Sequence, residues 1–504
     1  MTNLSSLIKT LRDIMRQDAG INGDAQRIEQ IIWILFLKVY DAKEAAWDLE
    51  EDGYTSILPP ACRWAAWAHD DGKGTAMTGD ELLHFVNDTL FPTLRGLRVT
   101  RETPIRQAIV QTVFSEANQY MKDGVLLRQV VNVIDGIDLE DYAEIHALGD
   151  IYENILRELQ SAGSAGEFYT PRAVTDFMAE HIEPHVGERV ADFACGTGGF
   201  LVSWLKQLQA QEQTAATIDA IGQSTYGIEK KQFPYMLAIT NMLLHGIDAP
   251  HIDHANALTK NVLDYTEADA FDKILMNPPY GGHEKADVQS FFPEDLRDSE
   301  TADLFLVTIL YRLKQNGRAA VVLPDGFLFG ADNTKVNIKK KLLAECNLHT
   351  VIRLPASVFA PYTSITTNLL FFDKTGPTKE TWFYRLDMPE GYKHFSKTKP
   401  MLRAHFAPCD AWWANRTVIP DADVDGAYKA NVYTVEQIAE GGYNLDLCGY
   451  PTVEEEILSP EETIQAFHEK RAALNAKIDA RLEKIEAMLG GTETKRGCTF
   501  SRDM

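Results

Sequence analysis

A chain of 504 residues, 45% apolar and 24% charged with a mean hydropathy of -0.22, has the composition of two or three ordinary folded domains, not of a disordered chain. Its net charge of -24 excludes strong nucleic-acid binding by the chain alone, because phosphate affinity comes from Lys and Arg displacing counterions. A nucleic-acid substrate would need a local basic face or a basic partner, and the partner is the reading favoured here.

In chain order, Met1–Asp18 reads as a charged amphipathic helix and not as a secretory signal. Apolar residues recur at helical spacing in Leu4–Met15, Ile28–Trp47 and Glu81–Val86, with turn-forming breaks at Asp52–Pro60 and Asp70–Gly79. The run Ile31–Leu37 ends at Lys38, short of the ~20 residues that span a bilayer, and reads as a buried core helix. Residues 1–160 thus form a helical amino-terminal domain. After the small-residue stretch Ser161–Gly166 the pattern changes to short apolar strands alternating with helices. The expected strands are Arg189–Phe193, Ser224–Ile228, Lys273–Met276, Ala319–Leu323, Thr350–Leu354 and Asn368–Phe372, and the expected helices include Gly199–Ala210, Lys231–His245 and Asp303–Leu313. Such alternation implies an α/β fold with a parallel, doubly wound sheet that binds ligands at the carboxyl ends of its strands, over residues 161–375. Residues 376–452 read as a mixed extension carrying Trp382, Phe383 and Trp412. In the tail, 453–504, Ile464, Phe467, Leu474, Ile478, Leu482, Ile485 and Leu489 follow three/four spacing, an amphipathic helix suited either to packing within the chain or to pairing with another subunit. Six cysteines, Cys62, Cys195, Cys346, Cys409, Cys448 and Cys498, lack CxxC spacing and fit a reducing cytoplasm without disulfides or zinc.

Two motifs carry chemistry. Asp192-Phe-Ala-Cys-Gly-Thr-Gly-Gly-Phe200 follows one expected strand and opens a helix. Its glycines let the backbone turn sharply and approach a ligand, while the helix amino terminus offers unpaired N–H groups. The spacing matches neither a dinucleotide loop nor a phosphate loop with its lysine. Glu229 closes the next strand, where an acid can accept both hydroxyls of a ribose. Cys195 has no histidine nearby in sequence to activate it and reads as a small turn residue. The second motif, Asn277-Pro-Pro-Tyr280, follows the strand Lys273–Met276. Its prolines stiffen the backbone so that the Asn277 amide and the Pro278 carbonyl become fixed acceptors beside the flat ring of Tyr280. Such acceptors suit an exocyclic amino nitrogen, whose delocalised lone pair must be turned towards an electrophilic methyl group on a sulfonium. His251 and His254 are spaced poorly for zinc, and no metal site is expected.

With Gly166-Glu-Phe-Tyr-Thr-Pro-Arg172 upstream, these motifs resemble those of the DNA adenine-N6 methyltransferases, and more narrowly the chain is similar to the M subunits of type I restriction–modification systems. The resemblance covers nearly the whole chain and implies the S-adenosylmethionine-dependent methyltransferase sheet. It implies that Glu167, Phe168, Tyr169, Thr170, Pro171 and Arg172 line the methionine end of S-adenosylmethionine. It places Asp192, Gly196, Thr197, Gly198 and Gly199 at the loop contacts, Glu229 at the ribose and Asn256 at the cofactor's adenine, although that family often has Asp there. Asn277, Pro278 and Tyr280 would hold an adenine flipped out of double-stranded DNA, with a second stacking ring among Tyr362, Phe371 and Phe372. The implied assembly has two copies of this chain, one specificity subunit and a separate motor–nuclease restriction subunit, in the cytoplasm. Residues 375–452 show no clustered Lys or Arg and are few for base-specific readout, so sequence choice is expected to arrive in trans. Three alternatives remain at this point: a methyltransferase acting on a protein glutamine amide, a non-catalytic scaffold, and a nicotinamide oxidoreductase.

Overall fold

The computed structural model describes residues 4–139, 148–149, 152–157, 169–211, 214–360, 362–396, 398–422 and 424–449, with 464–465, 467–468, 471–472, 474–476 and 478–483. The chain divides into two compact units, Met1–Gly449 and Tyr450–Met504.

The amino-terminal region is helical, as its periodicity implies. Its longest helix, Asp24–Glu50, buries every residue from Ile31 to Leu37. A helix apolar all round must be enclosed, and this one packs between the helices Gly124–Asp135 and Gln232–Leu244. Lys43 and Trp47 near its end both bond to Asp248, fastening the helical region to the sheet-bearing part of the first unit. Asp123 caps the helix Gly124–Asp135 by accepting from the N–H groups of Val125 and Leu126.

The sheet has ten strands: β1 Val190–Asp192, β2 Thr225–Glu229, β3 Ile252–His254, β4 Phe271–Met276, β5 Leu313–Pro324, β6 Asn347–Arg353, β7 Thr367–Asp373, β8 Glu380–Arg385, β9 Ile419–Pro420 and β10 Tyr428–Thr434. Their order is β3-β2-β1-β4-β5-β7-β6-β8-β10-β9. The run β3-β2-β1-β4-β5 is parallel throughout. The sheet as a whole is mixed, which corrects the parallel expectation: β7 lies antiparallel between β5 and β6. Among the described residues no helix separates β6 from β7 to carry the chain across the sheet, and the strand returns beside its predecessor in the opposite sense. Beyond β6, β8 adds a parallel strand and β10 and β9 an antiparallel edge, so part of the region 376–452 extends the same sheet.

Reversal of strand order at β1 and β4 opens a crevice at their carboxyl ends, where ligands of doubly wound sheets bind. Among the described residues no helix is long and apolar enough to cross a membrane. The free cysteines Cys62, Cys195, Cys346, Cys409 and Cys448 are buried, while Cys498 lies outside the described residues. In the second unit, the described tail residues are helical, and Ile464, Phe467, Leu474, Ile478 and Leu482 are all exposed within it.

Candidate active site at the strand ends

Asp192, Glu229 and Asn277 stand at or just beyond the ends of β1, β2 and β4, and Asn256 follows β3 by two residues. Parallel strands in register bring these four distant positions to one edge, around a cavity of about 300 Å³. Thr170, Asp192, Cys195, Gly196, Thr197, Gly199, Glu229, Asn256 and Asn277 all line it.

The glycine loop turns from β1 into the helix Gly199–Gln209 through left-handed backbone at Gly196 (φ 54°) and Gly198 (φ 75°), which side chains with a Cβ rarely adopt. Glu229 is buried beside it. Its carboxylate accepts the N–H of Gly196 at 2.9 Å and that of Lys231 at 2.8 Å. Burial outweighs these donors and pushes its pKa up to about 7. Burial also raises Asp192, to about 8, against the Ala194 N–H it accepts and with the charge of Glu229 adding to the rise. The Cys195 thiol is buried and held well above its ordinary pKa, first by burial and then by those two acids, so it stays protonated and packs as a turn residue. Asn256 accepts the Leu258 N–H and caps the short turn Ala257–Thr259.

Asn277 is held asymmetrically. Its Nδ2 donates to Thr170 Oγ1 at 3.1 Å, while its Oδ1 is buried without a hydrogen-bond partner. A buried acceptor left unpaired costs about 1–3 kcal/mol, and on a residue that lines the cavity it is a candidate to accept from a ligand.

The remaining expected residues stand nearby or elsewhere. Glu167 and Phe168 lie outside the described residues. Tyr169, Pro171 and Arg172 stand behind Thr170, off the cavity wall, with Arg172 paired to Glu153. Pro279 supplies wall surface where Pro278 is buried. Tyr280 is half-buried off that wall, near enough to Tyr362 that, after burial, Tyr362 also raises its hydroxyl pKa. Phe371 and Phe372 are core residues of β7, and Phe371 packs edge-on against Phe177 and Trp413. Of the three candidate second rings, Tyr362 alone stands by Tyr280. His251 is exposed and His254 packs on Tyr235 at 5.1 Å; among the described residues no group of three metal-ligating side chains gathers.

Sequence reasoning missed a second wall: Lys230, Gly282, His283, Glu284, Thr301 and Phe305. Lys230 Nζ reaches Glu284 Oε1 at 3.4 Å across it. Thr301 and Phe305, four apart on the helix Thr301–Arg312, show the one available signal, since such spacing puts both on one face.

A glycine turn, a strand-end acid and an Asn-Pro-Pro-Tyr segment around one crevice of a 3-2-1-4-5 sheet define a methyltransferase. The chain belongs to the N-6 DNA Methylase family, whose model matches residues 143–457, and the HsdM N-terminal domain matches residues 4–134. It is 45% identical over 495 residues to the type I restriction enzyme EcoEI methylase subunit of Escherichia coli, covering 97% of this chain and 99% of that one. It is 29% identical to the StySPI methylase subunit of Salmonella potsdam over 78% of this chain and 72% of the relative. Among solved structures, a modification subunit from Vibrio vulnificus YJ016 matches at 40% identity and a TM-score of 0.75, covering 89% of this chain and 96% of that one. A chain of a type I R-M system matches at 33% identity and a TM-score of 0.79, covering 98% and 99%. The protein is a DNA methyltransferase of the type I modification-subunit kind, and the glutamine-amide alternative is not favoured.

Proposed function

We propose that this chain methylates N6 of an adenine flipped out of double-stranded DNA, using S-adenosylmethionine. The observation that carries the reading is the unpaired, buried Oδ1 of Asn277, a residue fixed by Thr170 that lines the same cavity as the glycine loop and Glu229.

The residues present fit the cofactor: two buried acids favour a cationic ligand, and a carboxylate at the end of β2 suits a ribose diol. When bound, S-adenosylmethionine supplies an electrophilic methyl group together with a neutral leaving group. Glu229 accepts the ribose hydroxyls while the Gly196 and Lys231 N–H groups hold it in place. The loop Gly196–Gly199 keeps side chains out of the way, and Asn256 faces the adenine end. Asn277 Oδ1 accepts one hydrogen of the target amino group and the Pro278 carbonyl the other. The lone pair is thereby drawn out of conjugation, and positive charge developing on nitrogen meets two fixed dipoles. No strong base is needed before attack, because the amino proton becomes acidic only as the new bond forms, and it then passes to solvent water. Tyr280 and Tyr362 stack on the extruded base.

In this reading the chain works in the cytoplasm, where free buried thiols are stable. Two copies join one specificity subunit and a motor–nuclease restriction subunit, and DNA sequence is chosen by the partner. The test is tritiated methyl transfer by the assembled complex, comparing wild type with Asn277→Ala. Label in DNA, lost in the variant while S-adenosylmethionine still binds, is expected. Equal loss of binding and transfer would put Asn277 in another role, and label in protein alone would restore the glutamine-amide alternative.

A further inference from the structure

The cavity floor is held from behind by side chains that never reach the cavity. Arg172 opens the helix Arg172–His181 and is largely buried. Its Nε and Nη2 grip both oxygens of Glu153 at 2.5 and 2.7 Å, and the ring of Tyr169 lies 5.4 Å from its Cζ. Burial opposes both charges, yet the pair keeps the guanidinium charged and holds the carboxylate below its ordinary range. The remaining arm, Nη1, is buried without a partner.

That arm lies against Gly199. A Cβ built on Gly199 would fall 1.9 Å from Nη1, and the next atom beyond the guanidinium is Thr175 Cγ2 at 3.5 Å. Gly199 has ordinary helical backbone, so alanine is conformationally allowed there and meets one serious obstruction, the clamped Arg172. From the helix Gln232–Leu244, buried Asn241 donates to the Thr197 carbonyl at 2.8 Å, and its own Oδ1 is unpaired. Thr197 and Gly199 line the cavity; Arg172, Glu153 and Asn241 do not.

We propose that Arg172, clamped by Glu153, and Asn241 are positioning residues that set the height and tilt of the loop Gly196–Gly199 under S-adenosylmethionine. The inference rests on the methyltransferase reading and differs from the family expectation that Arg172 touches the cofactor. Arginine is required because its fork fills two roles at once, two bonds to Glu153 and a rigid prop under Gly199; lysine keeps the charge but lacks the second arm. Glycine at 199 is required because the prop leaves no room for a methyl group.

The test uses the full chain, titrated with S-adenosylmethionine and assayed for methyl transfer in the assembled complex. Gly199→Ala weakens cofactor affinity about tenfold to a hundredfold through overpacking, with the rate at saturating cofactor little changed. Adding Arg172→Lys removes the obstructing arm and restores affinity at least about tenfold over Gly199→Ala alone, a coupling expected only between touching residues. Asn241→Ala weakens affinity by about two- to tenfold, again with the saturating rate preserved. Wild-type affinity in Gly199→Ala, or a double variant no better than that single one, would overturn the inference; the second outcome would return Arg172 to direct contact. Equal losses of affinity and saturating rate in Asn241→Ala would count against it as well. Failure of the wild-type chain to bind S-adenosylmethionine at all would instead remove the reading beneath it.

Discussion

In the proposed mechanism Asn277 divides the labour within one amide: its nitrogen donates to Thr170, and its buried, unpaired oxygen is left for the substrate. Thr170→Val removes the anchor without changing side-chain shape, and transfer at saturating cofactor is expected to fall about two- to tenfold, the worth of one hydrogen bond. An unchanged rate would mean that the amide is oriented by something else. Glu229 makes the second prediction. Its ordinary pKa near 4.5 rises to about 7, chiefly through burial, so the folded chain holds a proton that the unfolded chain releases. That contribution to stability is complete below about pH 4.5 and is lost as pH rises through about 7. Cofactor binding runs the other way, because accepting two ribose hydroxyls favours the carboxylate. Affinity for S-adenosylmethionine should therefore climb between about pH 6 and 8 and level off above, with a proton released on binding near neutrality. Calorimetry across that range checks it, and Glu229→Gln should flatten the profile; the same slope in the variant would point to Asp192 instead. The principal acids and Asn277 were legible in the sequence because each ends an apolar strand. Arg172 was legible as belonging to the site but not as standing behind it, since spacing says nothing about which side of a loop an arginine occupies. Phe305 escaped notice because its helix is buried nearly all round and shows no apolar stripe.

Elements were readable where burial imposes a period. β1, β2, β4, β6 and β7 fall within a few residues of the expected strands, whereas their order across the sheet comes from the structure and not from the alternation with helices. β3 has three residues with only Ile252 buried, and β10 buries only Ala430, so neither has a repeat to detect. β5 begins six residues before its expected start, where Asn316 in left-handed backbone breaks the apolar pattern ahead of Ala319. The tail belongs to this scale too. Its exposed Ile464, Phe467, Leu474, Ile478 and Leu482 recur at helical spacing, a stripe suited to another subunit. Removing the residues after Pro460 is expected to leave thermal unfolding and cofactor binding unchanged while abolishing co-purification with the specificity subunit. A truncated chain that still assembles would take the tail out of the interface.

At the scale of the molecule, a net charge of -24 governs how the enzyme meets DNA. The chain alone should bind duplex DNA no better than non-specific contacts allow, at ~10⁻⁴–10⁻⁶ M or weaker, and a specificity partner should tighten binding and confer sequence preference. Salt titrations with and without the partner check this; tight, sequence-selective binding by the isolated chain would contradict it. The amino-terminal region shares one compact unit with the sheet: Lys43 and Trp47 contact Asp248, and Glu153 clamps Arg172 behind the glycine loop. The central claim is that an amide acceptor at the end of β4 presents an adenine amino group for methylation. Nucleoside mass spectrometry of DNA from cells expressing the chain with its partner subunits tests it most directly. N6-methyladenine at a recurring sequence, absent when Asn277→Ala replaces the wild type in an equally assembled complex, is the result predicted. DNA without N6-methyladenine, or with equal amounts in the variant, would contradict the account.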